Sequence, residues 1–157
     1  MTTINITLHE NEILRRLFTE GGYTAASRQA MGMPGKLCDT LAITNDDKRL
    51  VCDYIKTSIN EVAAIVGRYH SHCLVENSIN GNNNCYIIKF AAPANFPASC
   101  QLQMYEAAID YTVSNTMRQI AMLLKPDEAN IHASRTQSHL ARLRDILSQR
   151  SKPQKQQ

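Results

Sequence analysis

The sequence predicts a mainly α fold: a helical bundle of three main helices, plus a short N-terminal helix, with a β-hairpin inserted near residues 72–90. Three observations predict it. Apolar residues recur at spacings of three and four along three long stretches. An Asn80-Gly81 pair, which tolerates positive φ, lies between two short β-prone runs. The 157 residues suffice for one domain with a real core and are too few to expect two. Each apolar stripe needs a partner, so the stripes are expected to close on one another as antiparallel neighbours. Residues 1–150 are read as this single helical domain and residues 151–157 as a disordered basic tail.

The elements follow in chain order. "TTINITL" alternates Ile4, Ile6 and Leu8 with polar residues, a period of two that suits a short strand. Thr7 and Glu10 then have capping-box spacing. Behind them Ile13, Leu14, Leu17 and Phe18 form one stripe, and Gly21-Gly22 offers a left-handed stop, which makes a short helix. Residues 23–45, with glycines and Pro34, read as a loop with a helical turn near residues 24–29. Thr44 is placed to cap the first long helix, with Asp46 and Asp47 in its first turn. Its stripe is Val51, Ile55, Ile59, Val62, Val66 and Tyr69, widened by Leu50, Tyr54 and Ile65.

Residues 72–76 and 85–90 are the two runs of the hairpin, joined by a long polar tip. "AAPANFP" closes it and prepares the next helix. That helix carries Leu102, Tyr105, Ile109, Val113, Thr116, Ile120 and Leu123 on one face. Pro126 ends it and opens the last helix as a first-turn proline. The final stripe is thinner: Ala129, Ala133, Thr136, Leu140, Leu143 and Leu147.

Composition narrows the class of protein. No stretch approaches the roughly 20 apolar residues of a membrane span. The first residues lack the basic region and apolar block of a signal peptide, so the expected location is cytoplasmic. Five cysteines without a CxxC pair argue for free, mostly buried thiols rather than a disulfide scaffold. From Lys125 onward Arg135, Arg142, Arg144, Arg150, Lys152 and Lys155 outnumber the acids, so the end of the chain is basic while the rest is near neutral.

"RYHSHC" is the densest cluster of possible metal ligands: His70, His72 and Cys73, with Cys85 across the hairpin. Zinc needs three or four converging N or S ligands. Neighbouring residues of a strand point to opposite faces, so His72 and Cys73 would diverge. The stretch reads as a polar joint between helix and strand, with Cys73 and Cys85 as small apolar fillers if both face the core. No nucleophile elbow, phosphate loop or zinc-protease helix motif is present. His9, His132 and His139 read as isolated surface residues. The expectation is a non-enzymatic protein with no cofactor and no metal. A basic last helix that tracks phosphates is the alternative, although no recognition motif accompanies it.

The order of elements carries a resemblance. A strand leads into a helix ending near "GGYTAA". The acidic helix start "TNDDKRLVCDYIKTSINEVAAIV" follows, then a polar hairpin before "CYIIKF", two long helices and "SQRSKPQ". The chain resembles small structural proteins of phages and prophages of Bacteroidetes-type bacteria. More loosely, it is similar to helical head–tail connector (adaptor) proteins of tailed phages. "RYHSHC" and "GNNNC" depart from that pattern. The resemblance implies a virion protein, made in the host cytoplasm, that assembles into a homo-oligomeric ring between portal and tail. Its partners would be copies of itself, portal or tail components and non-specifically contacted DNA, with no membrane. Partner contacts are expected at Asn80, Asn82, Asn83 and Asn84 of the hairpin tip and at Arg142, Arg150 and Lys152 of the basic tail.

Overall fold

The alternation of Ile4, Ile6 and Leu8 becomes strand β1 (Thr2–His9), with those three side chains buried and Thr3, Asn5 and His9 exposed. This is a computed structural model, and it describes residues 1–30, 48–80 and 83–150. The hairpin also forms, as β2 (Ser71–Asn80) and β3 (Asn83–Ala92). Both strands are longer than expected. Asn80 pairs with Asn83, so regular pairing continues to the last described residues of the tip and no long polar loop intervenes.

The hairpin is not an appendage. β1 lies antiparallel along the other side of β3, from Thr2 opposite Ala92 to His9 opposite Cys85. The result is a three-stranded sheet in the order β1-β3-β2. The expected helical bundle of three main helices is therefore corrected: the described residues form a mixed α/β fold of four helices and one antiparallel sheet. The reason is energetic. A lone two-stranded hairpin is marginal in water, whereas a third strand makes β3 central and lets Ile88, Phe90 and Ala92 bury completely or almost so.

Helix α1 (Glu10–Ala30) follows β1 directly. Thr7 is a strand residue rather than a cap, and Gly21-Gly22 does not end the helix. Glycine permits a left-handed exit but does not force one, and its helical cost of about 1 kcal/mol is small enough for a continuing helix to carry. The turn expected near residues 24–29 is thus part of α1. The rest of the predicted loop, including the Thr44 cap, lies outside the described residues. Ile13, Leu14 and Leu17 are buried as the stripe requires, while Phe18 is exposed.

Helix α2 (Lys48–Tyr69) buries Val51, Ile55, Ile59, Val62 and Val66; Leu50 and Tyr69, assigned to the same stripe, are exposed. Helix α3 (Cys100–Leu124) is the central helix. It meets the sheet through β1 and touches α1, α2 and the following helix. Its middle is consequently buried almost all round, Ser114, Asn115 and Thr116 included, while Leu102 and Leu123 at its ends are exposed. Lys125 separates it from α4 (Pro126–Ser148), which begins on the expected proline with Asp127 and Glu128 behind it. Helix α4 packs on α3 and, more lightly, on α2, as a second helical layer away from the sheet. His132, read as a surface residue, is buried there. Helices thus cover one face of the sheet. The other face carries Thr3, Asn5, Lys89, Leu74 and Glu76 in exposed or half-exposed positions.

Candidate functional site

The joint between α2 and β2 scatters its histidines. His70 is buried, stacked on Phe90 with ring centroids 4.9 Å apart and edge-on to Phe96 at 5.0 Å. Neither ring nitrogen has a hydrogen-bond partner. Burial, reinforced by the positive charge of Arg150, pushes its pKa down; the nearby Leu147 carbonyl opposes this weakly. His72 is exposed and adopts φ 54°, in a bulge that interrupts the register between Ser71 and Leu74. Cys73 turns back to the Ala63 carbonyl, with its Sγ 3.3 Å away. Among the described residues no group of three His, Cys, Asp or Glu side chains could hold a metal ion.

Cys85 does not face the core. It belongs to the outer row of β3, opposite His9, and its Sγ lies 3.1 Å from His9 Nδ1. The thiol is buried beneath its neighbours because β3 is central. Two strands distant in sequence bring this pair together, and no local reading of either residue could have found it.

The asparagines of the tip are put to work inside the chain. Asn83 Oδ1 accepts a long bond, 3.4 Å, from the backbone N–H of Asn11 in the first turn of α1. Asn84 Nδ2 donates to the Glu10 carboxylate at 3.2 Å, and Tyr86 Oη donates to the same group at 2.9 Å. Burial first, and then the neighbouring Glu10, raises the Tyr86 pKa. Together these contacts pin the start of α1 onto β3. Asn80 closes β2, and Asn82 lies outside the described residues.

The basic end is similarly engaged. Arg142 Nη1 donates to Asp110 Oδ2 at 3.0 Å, and Arg150 Nη1 donates to the carbonyls of Leu147 and Gln149 at the end of α4. A cation there complements the helix dipole and its free carbonyls. Lys152 lies outside the described residues. Asp110 also meets Arg16, which reaches Glu12 and Glu106, so one ion-pair cluster ties α1, α3 and α4 together. The cluster borders a shallow cleft of about 290 Å³ that also includes Arg15, Thr19 and His139.

What sequence reasoning left open is which strand lies at the edge of the sheet. Among the described residues β2 pairs only with β3, and no other strand lies on its outward side. Leu74 is 61% exposed, Val75 36% and Ile79 74%. The opposite edge is different: Gln101 Nε2, from the first turn of α3, donates to the Asn5 carbonyl of β1 at 3.3 Å. The signal was available in the β-prone run itself, but an edge can be recognised only once the strand order is known.

The chain matches no protein family, no curated protein and no solved structure.

Proposed function

We propose that this chain is a non-enzymatic structural protein of a phage particle, a head–tail connector or neck component that assembles with copies of itself and with portal or tail proteins. The observation that supports an assembly role is β2, an edge strand with exposed Leu74, Val75 and Ile79. Such an edge associates with another chain through its backbone N–H and C=O groups, with alternate side chains setting the register. The phage assignment, and the virion as the site of action, is supported by the resemblance of the sequence pattern to small phage structural proteins.

The test is a concentration series followed by light scattering and negative-stain imaging. Discrete closed oligomers are expected. A chain that stays monomeric at the highest soluble concentration overturns the reading. The second reading, nucleic-acid binding, keeps Arg135 and Arg144 as exposed cations of α4. It loses support from Arg142, whose guanidinium is engaged by Asp110. A salt-dependent DNA mobility shift abolished by removing residues 142–157 would favour it instead.

A further inference from the structure

We infer that β2 is a self-recognition strand: two copies of the chain pair antiparallel along it about a two-fold axis through Asn77, joining two sheets into one of six strands. The inference rests on the assembly reading above and specifies its contact.

Three features of β2 select a second copy as the occupant. The bulge ends at Leu74 and the last described pair of the hairpin is at Asn80, so the regular part of the strand runs from 74 to 80. Its midpoint is Asn77. An antiparallel copy centred there pairs every regular residue with none overhanging, and an axis through a residue keeps the helix-covered faces of both sheets on the same side.

The side chains then match. β2 shares its helix-side row with β3: Val75 beside Ile88, Asn77 beside Tyr86, Ile79 beside Asn84. In the Asn77-centred register Val75 faces Ile79 of the second copy, twice by symmetry, and the two Asn77 amides face each other. These apolar side chains share the helix-side row of the sheet and yet stay exposed.

Charge excludes the neighbouring register. Glu76 is the one ionised side chain between residues 71 and 80, and it pairs with Lys89 on β3. Centring on residue 76 sets the two glutamates against each other, which disfavours that alignment. Centring on residue 75 draws the bulge at His72, with its positive φ, into the ladder. Centring on residue 78 sets Ile79 against Asn77. Only the Asn77 register puts Glu76 opposite a neutral residue, Ser78, and Val75 opposite Ile79.

The strand also lacks the devices by which sheet edges are protected. It has no proline, no lysine and no inward charge, and its bulge lies at one end. Head-to-tail addition of β2 onto β1 of another copy is less suitable, since Gln101 already occupies the Asn5 carbonyl. The two-fold pair is isologous and closes on itself. Any ring would therefore be built from such pairs.

The experiment compares wild type with Ile79→Lys, Val75→Lys, Asn77→Cys and Glu76→Cys by light scattering, circular dichroism and non-reducing electrophoresis after mild oxidation. Both lysine variants are expected to keep the wild-type spectrum, since these side chains are exposed, and to lose the mass of the paired form. Asn77→Cys is expected to form disulfide-linked dimers well above the wild-type background. Across a two-fold axis its two Cα atoms would lie about 4.5–5.5 Å apart, within disulfide reach. Glu76→Cys should link far less, because its counterpart is Ser78. An oligomer unaffected by Ile79→Lys, with no excess linkage at Asn77→Cys, overturns the β2 pairing while leaving assembly intact. A wild-type chain that is monomeric throughout overturns both.

Discussion

Asn115 uses every hydrogen-bonding atom it can bring to bear in a position with no solvent access. Its Nδ2 donates to Ser58 Oγ and to Glu61 Oε2, and its Oδ1 accepts from Arg118 Nε. Ser58 is further met by Gln119, and Glu61 by Tyr111, so α2 and α3 are fixed in one register by a satisfied polar seam. Replacing Asn115 with Leu strands those partners and should cost about 1–3 kcal/mol in urea unfolding. A loss near zero would mean that the seam is dispensable. His70 makes a pH prediction. Its pKa is lowered in the folded chain, so below its ordinary value of 6.5 the unfolded chain takes up a proton that the folded chain resists. Stability from this group is complete above that pH and declines on acidification. His70→Phe should flatten the melting temperature between about pH 7.5 and 5.5, and equal slopes in both proteins would refute the assignment. Glu12 acts lower on the scale. Hydrogen bonds from Arg15 and Arg16 hold its carboxyl down to about 2, so its contribution is present above 4.5 and is lost as pH falls from there toward that value. Solvent around the cluster keeps the effect small.

At the level of elements, the contrast between a central and an edge strand is testable within one hairpin. Ile88 of β3 is fully buried, and its truncation to Ala should cost about 2–5 kcal/mol. Ile79 of β2 is 74% exposed. The same change there should fall within about 0.5 kcal/mol for the monomer, measured by denaturation at low protein concentration. Much of this level was legible in the residues. The alternation of Ile4, Ile6 and Leu8 marked β1, the stripe from Val51 to Val66 marked α2, and Pro126 marked the break between α3 and α4. Two things were not legible. Gly21-Gly22 looked like a stop because glycine allows many conformations, and only packing decides among them. The seven-position stripe on α3 concealed a helix buried on nearly all sides, since Ser114 and Asn115 fall outside the stripe and the α2 partners of Asn115, Ser58 and Glu61, are visible only in the fold.

For the whole molecule, the fold class turned on a single long-range pairing. Periodicity reports how one segment buries its own face and is silent on which segment lies beside it. A strand at one end and a hairpin in the middle were both recognised, yet their union in one sheet was not. The partner residues suffered the same fate: Asn83, Asn84 and Arg142 looked free in the sequence because the groups that hold them, Asn11, Glu10 and Asp110, arrive from other elements. The dependence on β1 can be measured. Removing residues 2–9 takes Ile4, Ile6 and Leu8 from the core and opens the second edge of β3. The shortened chain should lose its cooperative thermal transition and scatter light on standing. A sharp melt in its circular dichroism would show that the remaining hairpin and helices suffice.

The sheet order also has a consequence in time. On the ribosome β1 emerges long before the strand it must join: His9 and Cys85, which end up side by side, are 76 residues apart. At bacterial-to-eukaryotic synthesis speeds of about 5–20 residues per second, the alternating apolar segment waits roughly 4–15 s without a mate. During that interval it is a natural client for chaperones at the exit tunnel. Slowing translation should therefore raise the misfolded fraction rather than lower it.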